Sequence, residues 1–344
     1  MKRFTAMLIC ILLFISLTAC TGGGTQDAAT VQDLGGNTVK LPEGRKCATA
    51  NSGWITSQIA MLAGAEAVVI APASFESGHT QRFEELVPGT ADIPLTDGDK
   101  ISAEAMLAAG VNVFFASNQA EADTYTNAGI TSIVMNYDTT ANLARSFVLI
   151  GEVFGGGALV KGQKIHDHIL DCEKLAKDHT ASVTDAPTVY CIAATTQTTP
   201  YLTQGEETFA NKLFRMCGAE QVTSGTGMYV TVNAEFIMDA DPDYIMIDGY
   251  LAEQAYQELI NDPVLKNLTA VKENKILYSP IGILRPCLRP GAETGIGIMW
   301  LVKTMYPELT ADIDLEASAA SFYRDCFGWD VSEEEVRQML SWVE

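Results

Sequence analysis

The side chains with the greatest chemical reach lie toward the C-terminal end. Leu284-Arg285-Pro286-Cys287-Leu288-Arg289-Pro290 sets two guanidinium groups four residues apart in a chain with 22 Lys and Arg against 43 Asp and Glu. A guanidinium is a rigid fork of donors suited to carboxylate, catecholate or oxyanion groups. Either arginine can equally pair with the many local acids, and Arg82 is a weaker candidate on the same grounds. The histidines offer less. His166 and His168 are two apart on a helical stretch, about 200° around it, and cannot grip one metal ion together. His179 sits near a helix end and His79 in a loop, so no direct metal site is expected. The sequence contains no Gly-x-Ser-x-Gly elbow, Ser-x-x-Lys, His-Glu-x-x-His or phosphate loop, which argues against an exported enzyme.

A second feature occurs twice. Ile101-Ser102-Ala103-Glu104-Ala105-Met106-Leu107 leads through Ala109 into an apolar strand, and Val232-Asn233-Ala234-Glu235-Phe236-Ile237-Met238 leads through Ala240 into another. Each copy is a polar entry, a Glu in a first helical turn, a short apolar helix and a buried strand. One such Glu is ordinary, because the helix dipole favours it. Two at equivalent places suggest a duplicated unit with a shared purpose for Glu104 and Glu235.

The elements that must position these groups alternate. Strands are expected at Lys46–Thr49, Ala67–Ile70, Val111–Ala116, Ser132–Asn136, Thr188–Ala193, Tyr244–Asp248 and Lys275–Ser279. Helices are expected between them at Gly53–Leu62, Ala103–Ala108, Ala120–Ala128, Phe209–Met216 and Ala252–Leu259. This is an α/β pattern with mostly parallel sheets. Residues 141–182 show no strand, only a helical pattern interrupted at Gly155-Gly156-Gly157, and read as a stiff spine between two α/β halves. The end of the chain is helical again, with Val336, Met339, Leu340 and Val343 at core-facing spacing.

Composition narrows the class. With 47% hydrophobic residues the chain can build a large core, and a formal net charge of −21 excludes a nucleic-acid binder. Lys2 and Arg3 precede an apolar run of about a dozen residues, the pattern of a secretory signal and too short to span a bilayer. Leu17-Thr18-Ala19-Cys20 resembles the lipobox of bacterial lipoproteins, which implies acylation at Cys20, and Thr21–Gln26 suits a flexible tether. Membrane contact is then expected through the lipid anchor alone, with the body extracytoplasmic. Cys47, Cys172, Cys191, Cys217, Cys287 and Cys326 show no zinc-ligand spacing. Export permits disulfides among them, and buried free thiols are the plainer reading.

Asn233-Ala234-Glu235-Phe236-Ile237 followed by Asp241-Pro242-Asp243-Tyr244-Ile245 resembles a segment of the substrate-binding proteins of iron-complex and cobalamin ABC importers. Met61-Leu62-Ala63-Gly64-Ala65, Tyr201–Gly205 with Thr208-Phe209, Cys217–Glu220, and Trp300–Lys303 with Tyr306-Pro307 are similar to further stretches of that family. The first lobe departs from it, with Gly110-Val111-Asn112 in place of Pro-Asp. The resemblance implies two lobes with central, mostly parallel sheets joined by a long helix, and a ligand cleft between them. It divides the chain into a signal peptide (1–19), a tether (20–34), an N-terminal lobe (35–140), a bridging helix (141–182), a C-terminal lobe (183–292) and C-terminal helices (293–344). It implies Glu104 and Glu235 docking on arginines of a permease dimer with its ATPase, and a pocket drawing on Trp54, Tyr201, Tyr229, Arg285 and Arg289. It implies no cofactor and no catalysis. A ferric siderophore-like metal complex suits arginines together with aromatics; haem, cobalamin and molybdate or tungstate stay open. A sensor or adhesin built on the same lobes is a further alternative.

Overall fold

The computed structural model of the 344-residue chain describes residues 29–48, 52–78, 82–249, 251–280, 282–283 and 289–341. Cys20, Arg285 and Cys287 lie outside the described residues. The N-terminal half opens with an antiparallel hairpin, β1 (Thr30–Gln32) and β2 (Thr38–Lys40). It continues through β3 (Cys47–Ala48), α1 (Gly53–Ala63), α2 (Phe83–Leu86), α3 (Ala103–Ala108), β4 (Val113–Ala116), α4 (Gln119–Asn127), β5 (Thr131–Val134) and α5 (Thr140–Phe154). Strands β3, β4 and β5 form a parallel sheet in that order.

Helix α6 (Gly156–Thr180) leads to the second sheet. Here β6 (Thr188–Ala193), β7 (Leu202–Gln204), α7 (Phe209–Met216), β8 (Glu220–Gln221), β9 (Tyr229–Thr231), α8 (Ala234–Ala240) and β10 (Tyr244–Asp248) follow in turn. Then come α9 (Ala252–Asn261), α10 (Thr269–Lys272), β11 (Ile276–Tyr278), α11 (Thr294–Met305), α12 (Leu315–Phe327) and α13 (Glu333–Leu340). The strand order is β11-β10-β6-β7-β9, with β8 beside β6. Strands β11, β10, β6 and β8 run parallel, whereas β7 and β9 are antiparallel to their neighbours.

Strand alternation builds the core. Successive side chains point to opposite faces, so Val113 and Phe115 join the central core while Phe114 and Ala116 fill a separate cluster behind the first sheet. In the second sheet Val189, Cys191 and Met246 face the central core, and Tyr190, Ile192, Ile245 and Ile247 face the other way. The central core is one continuous cluster. It runs from the first lobe through Ile165, Ile169 and Ala176 of α6 into the second lobe and the C-terminal helices.

Two expectations need correction. Residues 141–182 are two helices, not one, because the chain breaks at Gly155 (φ 73°) and Gly156 (φ 50°), backbone conformations that glycine adopts freely. They pack face to face: a Cβ on Gly162 would lie 2.3 Å from the Phe147 carbonyl oxygen, and one on Gly151 would lie 2.6 Å from Leu159 Cα. The strand expected at Ala67–Ile70 is a 3-10 turn over Ala65–Ala67, followed by an isolated bridge from Val68 to Cys47. Gly64 and Pro72 close off that apolar run before it can extend along β3. The short strands β7, β8 and β9 carry too little periodicity to be read from sequence.

Of the histidines of α6, His166 and His168 have separate environments. The His166 ring is 2.8 Å from the Asp167 carboxylate, while the His168 ring packs on Phe322 with centroids 4.6 Å apart and lies 3.7 Å from Cys172 Sγ. Burial pulls the His168 pKa down to about 4, against a smaller opposing pull from Asp171. Cys47, Cys172, Cys191, Cys217 and Cys326 are free and buried, which bears out the thiol reading for these five.

Two outcomes follow. Gly162→Val forces α5 and α6 apart; overpacking costs about 1–3 kcal/mol, so the thermal midpoint falls by several degrees, while Gly98→Ala, in open space, leaves it within a degree or so. For His168, the unfolded imidazole binds a proton that the folded one rejects between about pH 6.5 and the folded value of about 4. Stability from this group is therefore full above pH 6.5 and declines as pH falls toward 4. Urea midpoints across that range should flatten in His168→Phe, and an unchanged slope would remove the assignment.

Candidate functional site

Ligands of open α/β sheets bind beyond the carboxyl ends of the strands. The cleft here, of about 640 Å³, lies at those ends. Ser117 and Asn118 follow β4, Val134–Asp138 close β5 and extend past it, and Asp248 ends β10. Trp54 enters from the first turn of α1, while Gln204, Thr208 and Lys212 come from β7 and α7. Thr226, Met228, Tyr229 and Arg289 complete the second lobe's side.

The two walls differ chemically. On the first lobe the Trp54 and Tyr137 rings meet edge to face, centroids 5.1 Å apart. Such pairing fixes a flat apolar surface. The Tyr137 hydroxyl has no hydrogen-bond partner among the described residues, and burial pushes its pKa up, so it stays a neutral donor. Beside it, Asn136 Oδ1 accepts the Asp138 N–H at 2.8 Å, which sets the loop and leaves the amide nitrogen available.

On the second lobe, Lys212 and Arg289 make no ion pair with any described residue. Between them Gln204 is only 7% exposed, and its side-chain amide hydrogen-bonds to nothing among the described residues. Its backbone is held firmly: the Gln204 carbonyl accepts from Gln221 Nε2 at 3.0 Å and Thr223 Oγ1 at 2.5 Å. The amide's own atoms are not sealed from solvent, so a ligand entering the cleft can reach them. The glycine at 205 is sterically required, since a Cβ there would lie 1.8 Å from the Gly227 carbonyl oxygen. That close approach brings the 225–229 loop over the cleft. Asp248, Glu207 and Asp138 supply negative charge to the lining; Asp248 accepts from Ser279 Oγ at 2.7 Å.

Of the residues expected in the pocket, Trp54, Tyr229 and Arg289 line it. Tyr201 does not. It packs against the cluster behind the second sheet, and its hydroxyl donates to Asp262 Oδ2 at 2.6 Å. Burial, aided by Asp262, pushes the phenol up to about 12. The reason is strand parity: Leu202 and Gln204 share one face of β7 and Tyr201 falls on the other. Arg82 is a structural tie, 3.1 Å from Glu335 of α13 and 6.0 Å from the Trp329 ring centroid. Tyr137, Lys212 and Gln204 were missed by the sequence reading. Lys212 follows the capping signal of Thr208, whose hydroxyl accepts the Asn211 N–H, and that signal could have placed it near the cleft.

Glu104 and Glu235 are both exposed first-turn residues of short helices. Ser102 caps α3 by accepting the Ala105 N–H at 3.1 Å, and Asn233 caps α8 by accepting the Phe236 N–H at 2.8 Å. Each helix directly precedes a parallel strand of its sheet, α3 before β4 and α8 before β10. Neither makes an ion pair among the described residues. Among those residues no group of three or more His, Cys, Asp and Glu side chains is arranged to hold a metal ion.

This architecture is that of a bilobal solute-binding protein. The periplasmic binding protein family matches residues 54–280, two thirds of the sequence, and the chain belongs to that family. No curated protein matches it. Among solved structures, a periplasmic solute binding protein from Veillonella parvula is similar over 90% of this chain and 96% of its own, with a TM-score of 0.75 and 20% identity. MolA from Haemophilus influenzae, bound to molybdate, matches over 88% and 99%, with a TM-score of 0.73 and 17% identity. The TroA-like protein FepB from Veillonella parvula matches over 88% and 97%, with a TM-score of 0.69 and 20% identity. By family, the chain is thus an extracytoplasmic binding protein. No helix among the described residues is long and apolar enough to cross a membrane.

Tyr201→Phe should lower stability by about 1.5 kcal/mol, the lower end of the range for a hydrogen bond to a charged acceptor. It should leave solute affinity unchanged in the same preparation. A tenfold loss of affinity in calorimetric titration would put Tyr201 back in the pocket.

Proposed function

We propose that this protein captures a ferric siderophore-like iron complex and delivers it to a permease dimer driven by its ATPase. A lipid on Cys20 holds it at the membrane. One observation carries the ligand class: an aromatic wall, Trp54 with Tyr137, faces two cations that make no ion pair among the described residues, Lys212 and Arg289, across a cleft of about 640 Å³. That volume is within the range of about 300–1,000 Å³ usual for small-molecule sites. A large, partly aromatic anion uses both walls. Molybdate, the ion bound to the structurally similar MolA, would engage Lys212, Arg289 and Gln204 but leave the aromatic wall idle. Haem and cobalamin are further alternatives. In this reading the iron complex is cargo, and the protein has no cofactor or catalytic step of its own.

The exposed acids Glu104 and Glu235 complete the reading. One acid per lobe, at equivalent capped helix starts, suits a twofold partner bearing basic residues. Exposed ion pairs contribute only about 0–1 kcal/mol each, so these residues set orientation and encounter rate more than affinity.

The direct test is thermal unfolding of the protein with ferric siderophores, haem, cobalamin and molybdate in turn. A ligand at about 100 times its Kd adds about 2.7 kcal/mol, which moves the midpoint by several degrees. An iron complex should give the shift, and Arg289→Ala or Gln204→Leu should weaken binding about tenfold or more, as expected for hydrogen bonds to a charged group. A response to molybdate alone, or to none of the four, sinks the iron-complex reading. For docking, the double exchange Glu104→Arg with Glu235→Arg should abolish uptake in cells while solute affinity stays intact; normal uptake would remove the docking role.

A further inference from the structure

A second cavity, of about 570 Å³, lies at the end of the first sheet opposite the cleft. Its walls come from three places that the fold brings together: Arg45 and Lys46 just before β3, the end of α1 at Leu62–Gly64, and the start of α6 from Gly155 to Lys161. Three basic side chains therefore surround one space in a chain of formal charge −21.

None of the three is neutralised by an ion pair among the described residues. Lys46 Nζ donates to the Glu66 carbonyl at 2.7 Å, and Lys161 Nζ donates to the Met61 carbonyl at 3.3 Å. Both acceptors are neutral, so the ammonium charges remain. Arg45 Nε is buried without any hydrogen-bond partner. The exposed Glu66 is the one acid on the described wall. Burial lowers the Lys161 pKa, with Glu66 opposing the shift, as expected of an ammonium facing a partly enclosed space.

Backbone donors face the same region. The α6 N-terminus has no side-chain cap, and the Gly156 and Gly157 N–H groups find no acceptor among the described residues. A Cβ at Gly155, Gly156 or Gly157 would meet nothing within 4 Å, so the approach to these amides is open. Lysines as point charges, a guanidinium fork and free amides together suit a compact tetrahedral anion. An extended polyanion is disfavoured by the acidic body around the cavity.

We propose that this cavity binds a phosphate group, independently of the solute cleft. The group could belong to a soluble phosphate or to a lipid headgroup; Leu159 and Val160, 38% and 57% exposed on the adjoining turn of α6, border the site with apolar surface.

The experiment uses the full chain with Cys20→Ala, so that no acyl chain contributes. Its thermal midpoint is followed against sodium phosphate and against sodium chloride at matched ionic strength. Phosphate should give a saturable rise beyond chloride. Arg45→Ala with Lys161→Ala should weaken that response at least tenfold, whereas Lys212→Ala with Arg289→Ala, in the cleft, should retain it. Gly157→Asp supplies an acid at the helix start, so it should raise the midpoint without phosphate and abolish the response. A phosphate response equal to that of chloride, or one that survives in Arg45→Ala with Lys161→Ala, overturns the site. Flotation with phosphatidylglycerol vesicles then separates the sources. Vesicle binding lost in the Arg45→Ala, Lys161→Ala variant marks a headgroup, and a phosphate response without vesicle binding marks a soluble anion.

Discussion

The structure depends on the close contact between α5 and α6. Gly151 and Gly162 let the two helices approach until the backbone of one touches the other, and the central core then runs unbroken along α6 from lobe to lobe. Interiors packed in this way resist continuous deformation. Separating the lobes widely would open that core to water along its length, so their relative movement is confined to small adjustments about a rigid spine. A preformed cleft follows from this, with its walls already near their working positions.

The cleft inherits its chemistry from that rigidity. Trp54 and Tyr137 stand on the first lobe, at the start of a buried helix and the end of a buried strand. Lys212 and Gln204 stand on the second, on a capped helix and on a strand held by two side-chain hydrogen bonds to its carbonyl. The apolar wall and the cationic wall thus belong to different lobes, and one ligand must satisfy both. The acids Glu104 and Glu235 repeat this division on the outside, one to each lobe.

Much of the fold was legible in the sequence because its signals are local. The strands Thr188–Ala193 and Tyr244–Asp248 and the helices Ala103–Ala108 and Phe209–Met216 have the expected bounds, since each is a buried apolar run or a capped amphipathic turn. The reversal at Gly155 was not legible. Three glycines announce a break, but whether the chain bends or folds back is decided by what each helix face packs against. The β7 strand was hidden for a similar reason, because a three-residue strand is stabilised by neighbours distant in sequence.

The sequence by itself determined residue types: the α/β alternation, the duplicated Glu motif, the acidic body with few cations, and a family resemblance consistent with all of them. Tertiary structure alone decided which of those residues share a space. It turned Tyr201 away from the cleft by the parity of one strand, drew Arg82 onto Glu335, and set Lys212, Gln204 and Tyr137 beside Trp54 and Arg289. It also brought Lys161 to Arg45 and Lys46, more than a hundred residues earlier in the chain, around a single cavity. Periodicity along a chain records which face of an element is buried. Which elements those faces meet is fixed only when the whole core packs.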